Sequence, residues 1–411
     1  MGEPFGPEGL PLELARERIL EQLQPLGLVE QLPLAACLGR ITAEPVLAGE
    51  AVPGFRASIM DGYAIAGSEP PLVGARWRLR GTSAAGAPFG AAVAAGEAVR
   101  ILTGAVVPEG SGRVLPQELV GVEADQLELL KPCGASVWIR GPEEEAAAGQ
   151  ELVAAGQRLG VAELGRLASC GVCQLKVTQR PRLGLLISGD ELLPPGRQRA
   201  PGQIWESNSA LLTALLNRLG YAVADQRVVG DQPEQLRAAL LQLAAGCDVV
   251  VSTGGVSAGD SDWIRPLVAE LGAVNFWKLF LKPGRPFAWG QVAGVPFFGL
   301  PGNPVAAAVT ALQLLWPALQ RLEGAEPQLL PRLKVRLEAP LRRGAGRPEL
   351  ARAKLVVAAD GGLLARVAGS QASSRIGSLQ GADLLLEIPA ELGALEAGTE
   401  LWAQLLRLPL L

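Results

Sequence analysis

The sequence contains no histidine among its 411 residues. Histidine is the side chain whose ordinary pKa lies closest to neutrality, so the usual proton shuttle is missing. Its absence also excludes Ser-His-Asp and Cys-His nucleophilic sites and every zinc site that includes histidine. Chemistry in this chain must therefore rest on carboxylates, lysine and arginine, hydroxyls, backbone amides or a bound hard metal ion.

Cysteine is scarce as well. An odd number of cysteines, spread thinly, does not resemble a disulfide framework, and the five are Cys37, Cys133, Cys170, Cys173 and Cys247. Cys170 and Cys173 form a C-x-x-C pattern, but a zinc site would need a second pair of ligands and the sequence offers none. We predict that these two residues are small buried thiols.

The chain also lacks an excess of positive charge and a long apolar run. A net charge of −4 argues against a nucleic-acid partner, because no broad positive field is available. Residues 286–320 carry no charge, but glycines and prolines interrupt them, so no unbroken apolar span of about 20 residues is present. With no signal peptide at the N-terminus, the sequence predicts a soluble cytoplasmic protein without a membrane segment.

Hydrophobic residues make up 49% of the chain, which at this length is enough for several packed domains. Residues 12–24 place apolar side chains at the spacing of one helical stripe. Residues 28–140 form short alternating runs separated by Gly and Pro, a pattern typical of β structure. Residues 143–170 predict a return to helix.

Residues 180–325 alternate between strand-like and helix-like segments, which indicates a mainly parallel sheet covered by helices on both faces. The predicted strands are residues 182–187, 221–224, 247–252 and 295–299, and the predicted helices are residues 209–219, 233–245, 264–271 and 304–322. After residue 327 the short β runs return, and we predict a small C-terminal β domain.

Three Gly-rich loops follow the predicted strands: Ser188-Gly-Asp-Glu-Leu192, Thr253-Gly-Gly-Val-Ser-Ala-Gly-Asp-Ser-Asp262 and Pro301-Gly-Asn-Pro304. Ligands of open parallel sheets bind at the carboxyl ends of the strands, where glycine permits close approach and a helix N-terminus donates N–H groups to an anion. Neither a Walker A nor a dinucleotide-binding pattern is present. The loops indicate a pocket for a phosphorylated ligand, with ordinary turns as the alternative.

Charged residues fall on the same predicted edge. Five acids, Asp190, Glu191, Asp231, Asp260 and Asp262, would repel a phosphate unless a cation lay between them, and magnesium is the expected bridge. Turn capping is the alternative for a single Asp, but Glu191, Asp231 and Asp262 together favour a metal site. Lys278, Lys282 and Arg285 have the spacing of an oxyanion clamp, and a surface strand with solvated lysines is the alternative.

Six ordered motifs resemble the MoeA and gephyrin E-domain family over nearly the whole chain. They are Ser58-Ile-Met-Asp-Gly-Tyr-Ala64, Arg100-Ile-Leu-Thr-Gly-Ala105, Ser188-Gly-Asp-Glu-Leu192, the loop that runs from Ser252 to Asp262, Phe276-Trp-Lys-Leu-Phe-Leu-Lys-Pro-Gly-Arg-Pro286 and Gly299-Leu-Pro-Gly-Asn-Pro304. The resemblance implies a molybdenumtransferase of molybdenum cofactor biosynthesis. Such an enzyme takes adenylylated molybdopterin and molybdate, inserts the metal at the dithiolene and releases AMP, with Mg²⁺ required.

The resemblance also implies a multidomain fold of the α/β and α+β classes and an elongated four-domain protomer that forms a homodimer. The implied domains are a helical linker domain (1–45 plus 142–178), an inserted β domain (46–141), a central doubly wound α/β domain of the MogA type (179–326) and a C-terminal β barrel (327–411). The active site is expected at the protomer interface. The molybdopterin adenylyltransferase and cofactor-receiving enzymes are further expected partners.

By motif position, the resemblance implies a set of site residues. The catalytic residues are Asp61, Thr103, Glu191, Asp231, Asp262, Lys278 and Lys282, of which Glu191, Asp231 and Asp262 also hold the metal. The ligand-binding residues are Gly254, Gly255, Ser257, Gly259, Pro301, Gly302, Asn303, Pro304, Arg352 and Ser373. Asp61 and Thr103 are expected to come from the partner protomer. In the C-terminal domain, Arg347 and Ser378 are alternative matches to the motif positions given to Arg352 and Ser373.

Two alternatives belong to other classes of protein. One is the adenylyltransferase that acts one step earlier and shares the α/β domain, but it lacks the region around Ser58–Ala64 and the flanking β domains. The other is a non-catalytic pterin-binding scaffold, which gephyrin also represents. Retention of Glu191, Asp231 and Asp262 favours catalysis over a scaffold.

Overall fold

The computed structural model describes residues 9–255, 263–367 and 369–406. Within these ranges the α-helices are α1 Leu12–Gln22, α2 Val161–Ser169, α3 Asn208–Arg218, α4 Pro233–Gly246, α5 Ile264–Leu271, α6 Pro304–Thr310 and α7 Trp316–Glu323. The short helical turns are Leu34–Ala36, Gln117–Leu119 and Ile376–Ser378, and a π-helical segment, Ala311–Leu315, joins α6 to α7.

The strands in chain order are β1 Val29–Pro33, β2 Val46–Leu47, β3 Ala57–Ser58, β4 Gly62–Ala66, β5 Arg76–Ser83, β6 Glu97–Ile101, β7 Ser111–Pro116, β8 Val120–Glu123, β9 Gln126–Leu129, β10 Ile139–Arg140, β11 Glu151–Val153, β12 Gln174–Thr178, β13 Leu183–Ser188, β14 Leu192–Leu193, β15 Ile204–Trp205, β16 Val223–Val229, β17 Val249–Thr253, β18 Gly272–Trp277, β19 Ala288–Val292, β20 Val295–Leu300, β21 Arg332–Leu337, β22 Glu349–Val357, β23 Leu363–Arg366, β24 Leu384–Ile388 and β25 Glu400–Leu405. The chain divides into two compact units, Met1–Glu30 with Thr178–Leu411, and Gln31–Val177. The four predicted domain boundaries stay a prediction.

The first unit is built on a six-stranded sheet in the order β16-β13-β17-β20-β19-β18. The first four strands are parallel, and β19 and β18 extend the sheet with antiparallel pairings. This confirms the mainly parallel sheet that the alternating sequence pattern predicts. Each strand that was predicted in this region overlaps an observed one, and α5 has the predicted bounds.

Both faces of this sheet are covered, because successive side chains of a strand point to opposite faces. On β13, Leu185 and Ile187 pack in one core with α1, α3 and the long helix 304–323, whereas Leu186 between them packs in another core with α4 and α5. Val250 and Val251 of β17 divide between the two cores in the same way. The sheet is therefore doubly wound, as expected from its all-apolar strands.

The helical run 304–323 continues through Pro317 and confirms the predicted helix 304–322, although the prolines of this region were expected to interrupt its apolar span. Proline cannot donate a backbone hydrogen bond within a helix, so a carbonyl one turn earlier loses its partner. The carbonyl of Gln313 instead accepts a hydrogen bond of 2.9 Å from Nε of Arg16, and burial lowers the pKa of that guanidinium. The run has the length and hydropathy of a membrane span, but 89% of its most apolar window is buried inside the protein.

The C-terminal part of the first unit is a closed barrel in the order β21-β23-β22-β24-β25. Its interior is filled by alternate residues of the strands, including Val335, Leu337, Leu384 and Leu386. Closure leaves no unpaired strand edge, which removes a site of aggregation. The predicted C-terminal β barrel is therefore confirmed.

The second unit contains a six-stranded sheet in the order β7-β4-β6-β5-β9-β8. The sequence predicted helix over 143–170, and this was wrong for residues 143–160, because only α2 is an α-helix there. Gly149 and Gly156 adopt positive φ values of 76° and 75°, and β11 between them pairs with β2. Turns and strand pairing thus override the helix propensity of the Glu- and Ala-rich stretch.

The prediction that both cysteines of the C-x-x-C pair are buried is only partly confirmed. Cys170 is a buried thiol, but Cys173 is exposed, so its predicted burial was wrong. The intervening Gly171 has a φ of 79°, which ends the helix, and Cys173 lies between this turn and the strand that begins at Gln174. All five cysteines are unbridged.

Candidate active site

The strands β13, β17 and β20 are parallel and end at the same edge of the sheet. The three loops that follow them surround one cavity of about 610 Å³. The predicted site residues that line it are Glu191, Asp231, Gly254, Gly255, Pro301, Gly302, Asn303, Pro304 and Ser373. The structure therefore brings the Gly-rich loops together in a single cleft, at the position where open parallel sheets bind ligands.

Two glycines of this cleft are required by their geometry. Gly254 has a φ of 90°, and a Cβ atom there would lie 2.6 Å from the backbone oxygen of Ser188. Gly255 has a φ of 62°, and its Cβ would lie 2.7 Å from a side-chain carbon of Ile264. Because other residues rarely adopt such φ values, glycine lets the β17 loop turn closely against the β13 loop.

The third loop leads into the long helix at Pro304. Asn303 immediately precedes the helix, and its side-chain amide donates to Oγ of Ser373 at 3.1 Å. The first-turn amide of Val305 donates to the backbone oxygen of Ser373, also at 3.1 Å. Ser373 thus lies against the helix N-terminus, where the helix dipole favours anions.

Two of the predicted carboxylates share the cleft. Glu191 and Asp231 both line it, whereas Asp190 accepts a hydrogen bond of 2.9 Å from the backbone amide of Asp231 and so holds that residue in place. Burial raises the pKa of Asp231, and the negative charges of Asp190 and Glu191 raise it further. Of the other predicted residues in the β17 loop, Ser257, Gly259, Asp260 and Asp262 lie outside the described residues.

Among the residues that the structure describes, no cluster of three His, Cys, Asp or Glu side chains forms a complete metal site. Magnesium seldom needs one, because it is commonly held by one or two carboxylates together with substrate phosphates and water. Glu191 and Asp231 match that donor set. The like charges that raise the pKa of Asp231 would be relieved by a cation, so these residues fit magnesium.

A second cavity, of about 410 Å³, lies on the other side of the segment 282–286. Gly284 and Pro286 line the first cavity, whereas Lys282 and Arg285 line the second. Arg343, Arg347 and Glu349 complete the charged lining of what we call the basic cavity. Lys282 therefore lies beside the Gly-rich cleft and not within it.

The predicted clamp of three cations is brought together only in part. Lys282 and Arg285 share the basic cavity, but Lys278 is absent from the lining of both cavities. Its ammonium lies 3.7 Å from the centroid of the Trp277 ring, a cation–π contact. The i, i+4 spacing does not bring the two lysines together here because the segment is not helical.

Arg352 and Ser373 have different surroundings. Arg352 is buried, its Nε donates to Oγ of Ser378 at 3.1 Å, and burial lowers its pKa. It thus lies beneath the segment 372–378, whereas Ser373 lines the Gly-rich cleft. Of the two alternative motif matches, Arg347 lines the basic cavity and Ser378 accepts the hydrogen bond from Arg352.

In the second unit, Asp61 and Thr103 form a contact of their own. Both the backbone amide and the hydroxyl of Thr103 donate to one carboxylate oxygen of Asp61, at 2.7 and 2.8 Å. These hydrogen bonds lower the pKa of Asp61, which therefore stays ionised. The pair is exposed, and its sequence motifs are 42 residues apart.

One part of the cleft, formed by the segment that leads into α3, was not predicted from the sequence. Trp205, Glu206 and Asn208 line it, and Glu206 also caps the helix by accepting a hydrogen bond of 2.9 Å from the amide of Ser209. The sequence predicted only the helix 209–219 here and no site residue before it. The polar residues here are more buried than a simple helix cap would be. That burial is the signal of a site, but it cannot be read from the sequence.

Comparison with known proteins agrees with this arrangement. Residues 10–171 match the model of the MoeA N-terminal region (domain I and II), residues 184–321 that of a probable molybdopterin binding domain, and residues 334–406 that of the MoeA C-terminal region (domain IV). The chain is similar to a molybdopterin molybdenumtransferase of Haemophilus influenzae, with 33% identity over 95% of this chain and 96% of that protein.

Two further similarities cover most of the chain. Molybdopterin molybdenumtransferase 2 of Mycobacterium tuberculosis is 32% identical over 90% of this chain and 93% of that protein. A solved structure of a molybdopterin biosynthesis MoeA protein from Pyrococcus horikoshii superposes with a TM-score of 0.79 at 29% identity, covering 97% of this chain and 99% of that one. The chain therefore belongs to the MoeA family, the molybdopterin molybdenumtransferases of molybdenum cofactor biosynthesis.

Proposed function

We propose that this chain takes adenylylated molybdopterin and molybdate, inserts molybdenum at the dithiolene and releases AMP in a reaction that requires Mg²⁺. The observation that carries the proposal is the pairing of two cavities across one short segment of chain. One cavity combines three carboxylates with Gly-rich loops, and the other is basic. The reaction has two substrates, one with a phosphoanhydride and one that is a separate oxyanion. The first needs the cleft with carboxylates and Gly-rich loops, and the second needs the basic cavity.

The Gly-rich cleft suits the anhydride of the pterin adenylate. Backbone amides near Gly254 and at the start of the long helix favour phosphate oxygens. Glu191 and Asp231, with Asp262 by motif position, would hold Mg²⁺ against those oxygens. The metal ion would neutralise and polarise the phosphates, and the residues of the chain bind and orient them.

The basic cavity suits molybdate, a small dianion. Four cationic side chains line it against one carboxylate, so an anion is favoured there. Lys282 is about half exposed and pairs with Glu349 at 3.1 Å, which holds its ammonium at the cavity wall. We assign Lys282 to molybdate binding in this cavity. Lys278 and Arg352, which the resemblance implies for the same step, lie outside its lining.

AMP release from purified pterin adenylate, measured with and without molybdate and Mg²⁺, tests the proposal. The wild-type protein is expected to require both, and Lys282→Gln is expected to raise the molybdate concentration at half-maximal rate about tenfold, the size of one lost charge-assisted hydrogen bond. Lys334→Gln is the matched control, because Lys334 pairs with Glu400 on the exposed surface of the barrel. Molybdate-independent release would contradict the proposal, and no release at all would favour the scaffold alternative.

We also propose that the chain is a cytoplasmic homodimer in which Asp61 and Thr103 of one protomer complete the site of the other. Their mutual hydrogen bonds support this, because a preformed, ionised and exposed carboxylate is suited to an intermolecular contact. The molybdopterin adenylyltransferase that supplies the substrate and the enzymes that receive the cofactor are the further partners we propose.

Mixing two inactive variants tests the shared site. Asp61→Asn and Asp231→Asn each damage every site of their own homodimer, whereas a mixed dimer keeps one undamaged site. Random reassortment of subunits makes half of the dimers mixed, so activity is expected to recover to about a quarter of the wild-type value. Recovery is measured as AMP release after the variants are unfolded together and refolded. No recovery above the separately treated variants would show that Asp61 acts within its own protomer.

A further inference from the structure

Asn208 lines the Gly-rich cleft and carries an unpaired hydrogen-bond acceptor. It is the first residue of α3, lines the cleft and is only 8% exposed. Its side-chain oxygen Oδ1 is buried and has no hydrogen-bond partner in the part of the chain that the structure describes. A buried acceptor without a partner costs free energy, so this atom is poised for a donor from outside the protein.

The orientation of this amide is fixed by its neighbours. Its Nδ2 donates to the backbone oxygen of Gly302 at 2.8 Å and to Oγ1 of Thr253 at 3.2 Å. A backbone carbonyl can only accept, so the amide nitrogen must face Gly302 and cannot exchange places with Oδ1. The end of β17 and the loop after β20 therefore hold the amide in one orientation, with Oδ1 as its unpaired acceptor.

We propose that Oδ1 of Asn208 accepts a hydrogen bond from the exocyclic amino group of the ligand's heterocycle and selects ligands that carry one. This inference rests on the proposed function, because it takes the adenylylated pterin as the ligand. Phosphate oxygens are acceptors and would be repelled by Oδ1, so the phosphates lie elsewhere in the cleft, against the Mg²⁺ that Glu191 and Asp231 would hold. Both the pterin and the adenine of the ligand carry an exocyclic amino group, and either can be the donor.

Binding of paired probes identifies the donor. One pair is AMP and purine riboside 5′-monophosphate, which lacks the amino group of adenine. The other is 2-amino-4-oxopteridine and 4-oxopteridine, which lacks the amino group of the pterin. The wild-type protein is expected to bind the amino-bearing member of one pair about tenfold more tightly, because a polar site rejects an analogue that leaves its buried group unpaired. The pair that is discriminated shows which ring contacts Asn208.

Two variants separate this contact from a structural role. Asn208→Ala is expected to weaken binding of the amino-bearing probe about tenfold and to leave binding of the probe without the amino group unchanged, so the discrimination disappears. Thr253→Val is the matched control, because it removes one neighbour of the amide nitrogen and keeps Oδ1, and it is expected to retain the discrimination. The binding constants of all four probes are measured by calorimetry on the full chain.

Equal binding within both pairs, or equal weakening of both members by Asn208→Ala, would overturn the inference. Failure of every probe to bind the wild-type protein would overturn it as well. These outcomes are distinct from failure of the proposed function. If the protein releases AMP but discriminates within neither pair of probes, only the role of Asn208 is contradicted. If it discriminates within a pair but shows no molybdate-dependent AMP release, that role is supported and the proposed reaction is contradicted.

Discussion

Asp231→Asn is expected to slow AMP release about a hundredfold, which is the typical effect of removing one preorganised group that stabilises charge in a reaction. The substitution keeps the size of the side chain and the backbone amide that donates to Asp190. It removes one of the three carboxylates, Glu191, Glu206 and Asp231, that line the described part of the cleft. The Mg²⁺ concentration at half-maximal rate is expected to rise with it, and titrating Mg²⁺ in the AMP-release assay measures both effects.

The same carboxylate predicts how the requirement for Mg²⁺ depends on pH. Burial raises the pKa of Asp231, so protons compete with the cation at a higher pH than for an ordinary aspartate. As the pH falls through this raised pKa, Asp231 becomes neutral and the half-saturating Mg²⁺ concentration of the wild-type protein is expected to rise. The Asp231→Asn variant lacks this contribution, and its Mg²⁺ requirement is expected to change less over the same range.

Stability is expected to respond differently from activity. A carboxylate with a raised pKa in the folded state contributes stability at low pH that is lost as the pH rises through that pKa. At neutral pH the Asp231 charge is therefore unfavourable to folding, and Asp231→Asn is expected to unfold no more easily than the wild type. Asp225→Asn is the matched control, since Asp225 lies on the preceding strand and pairs with Arg227. Unchanged release by Asp231→Asn would remove the metal-binding role of this residue.

The sequence predicted the central sheet and its loops well because one strong pattern determines both. Strands such as β13 and β17 are apolar on both faces, and in a parallel sheet their carboxyl ends must meet at one edge. The approach of Gly254 to Ser188 follows from that topology. Once the strands were assigned, the positions of Glu191 and Asp231 at the cleft could be predicted without knowing any distance.

The remaining differences between prediction and structure arise where tertiary contacts determine the position of a side chain. Lys278 and Lys282 are four residues apart, but a non-helical segment places only Lys282 in the basic cavity. Asn208 lies one residue before the predicted helix 209–219, and only the approach of Gly302, which follows β20, makes it part of the cleft. Such features depend on residues far apart in sequence, and local spacing does not encode them.

Glu349→Gln is expected to lower the free energy of unfolding by about 3 kcal/mol, the lower end of the range for removing one partner of a buried ion pair. The side chains of Glu349 and Arg343 are 4% and 5% exposed, and their charged atoms are 3.3 Å apart. Without the carboxylate, the guanidinium keeps its contacts with backbone oxygens, including that of Arg347 at 2.7 Å, but loses its counter-charge. Urea unfolding followed by tryptophan fluorescence measures the loss.

The comparison with Lys282→Gln separates folding from binding in the basic cavity. Lys282 is 48% exposed, so its pairing with Glu349 contributes at most about 1 kcal/mol and its loss is expected to leave stability nearly unchanged. Glu349→Gln removes the carboxylate from among the cations, so molybdate is expected to bind no less tightly to folded protein. The two variants should therefore have opposite effects: Glu349→Gln loses stability and keeps its molybdate requirement, whereas Lys282→Gln keeps stability and needs more molybdate. A loss of stability in both, or a molybdate defect in both, would mean that the carboxylate and the lysine act as one unit.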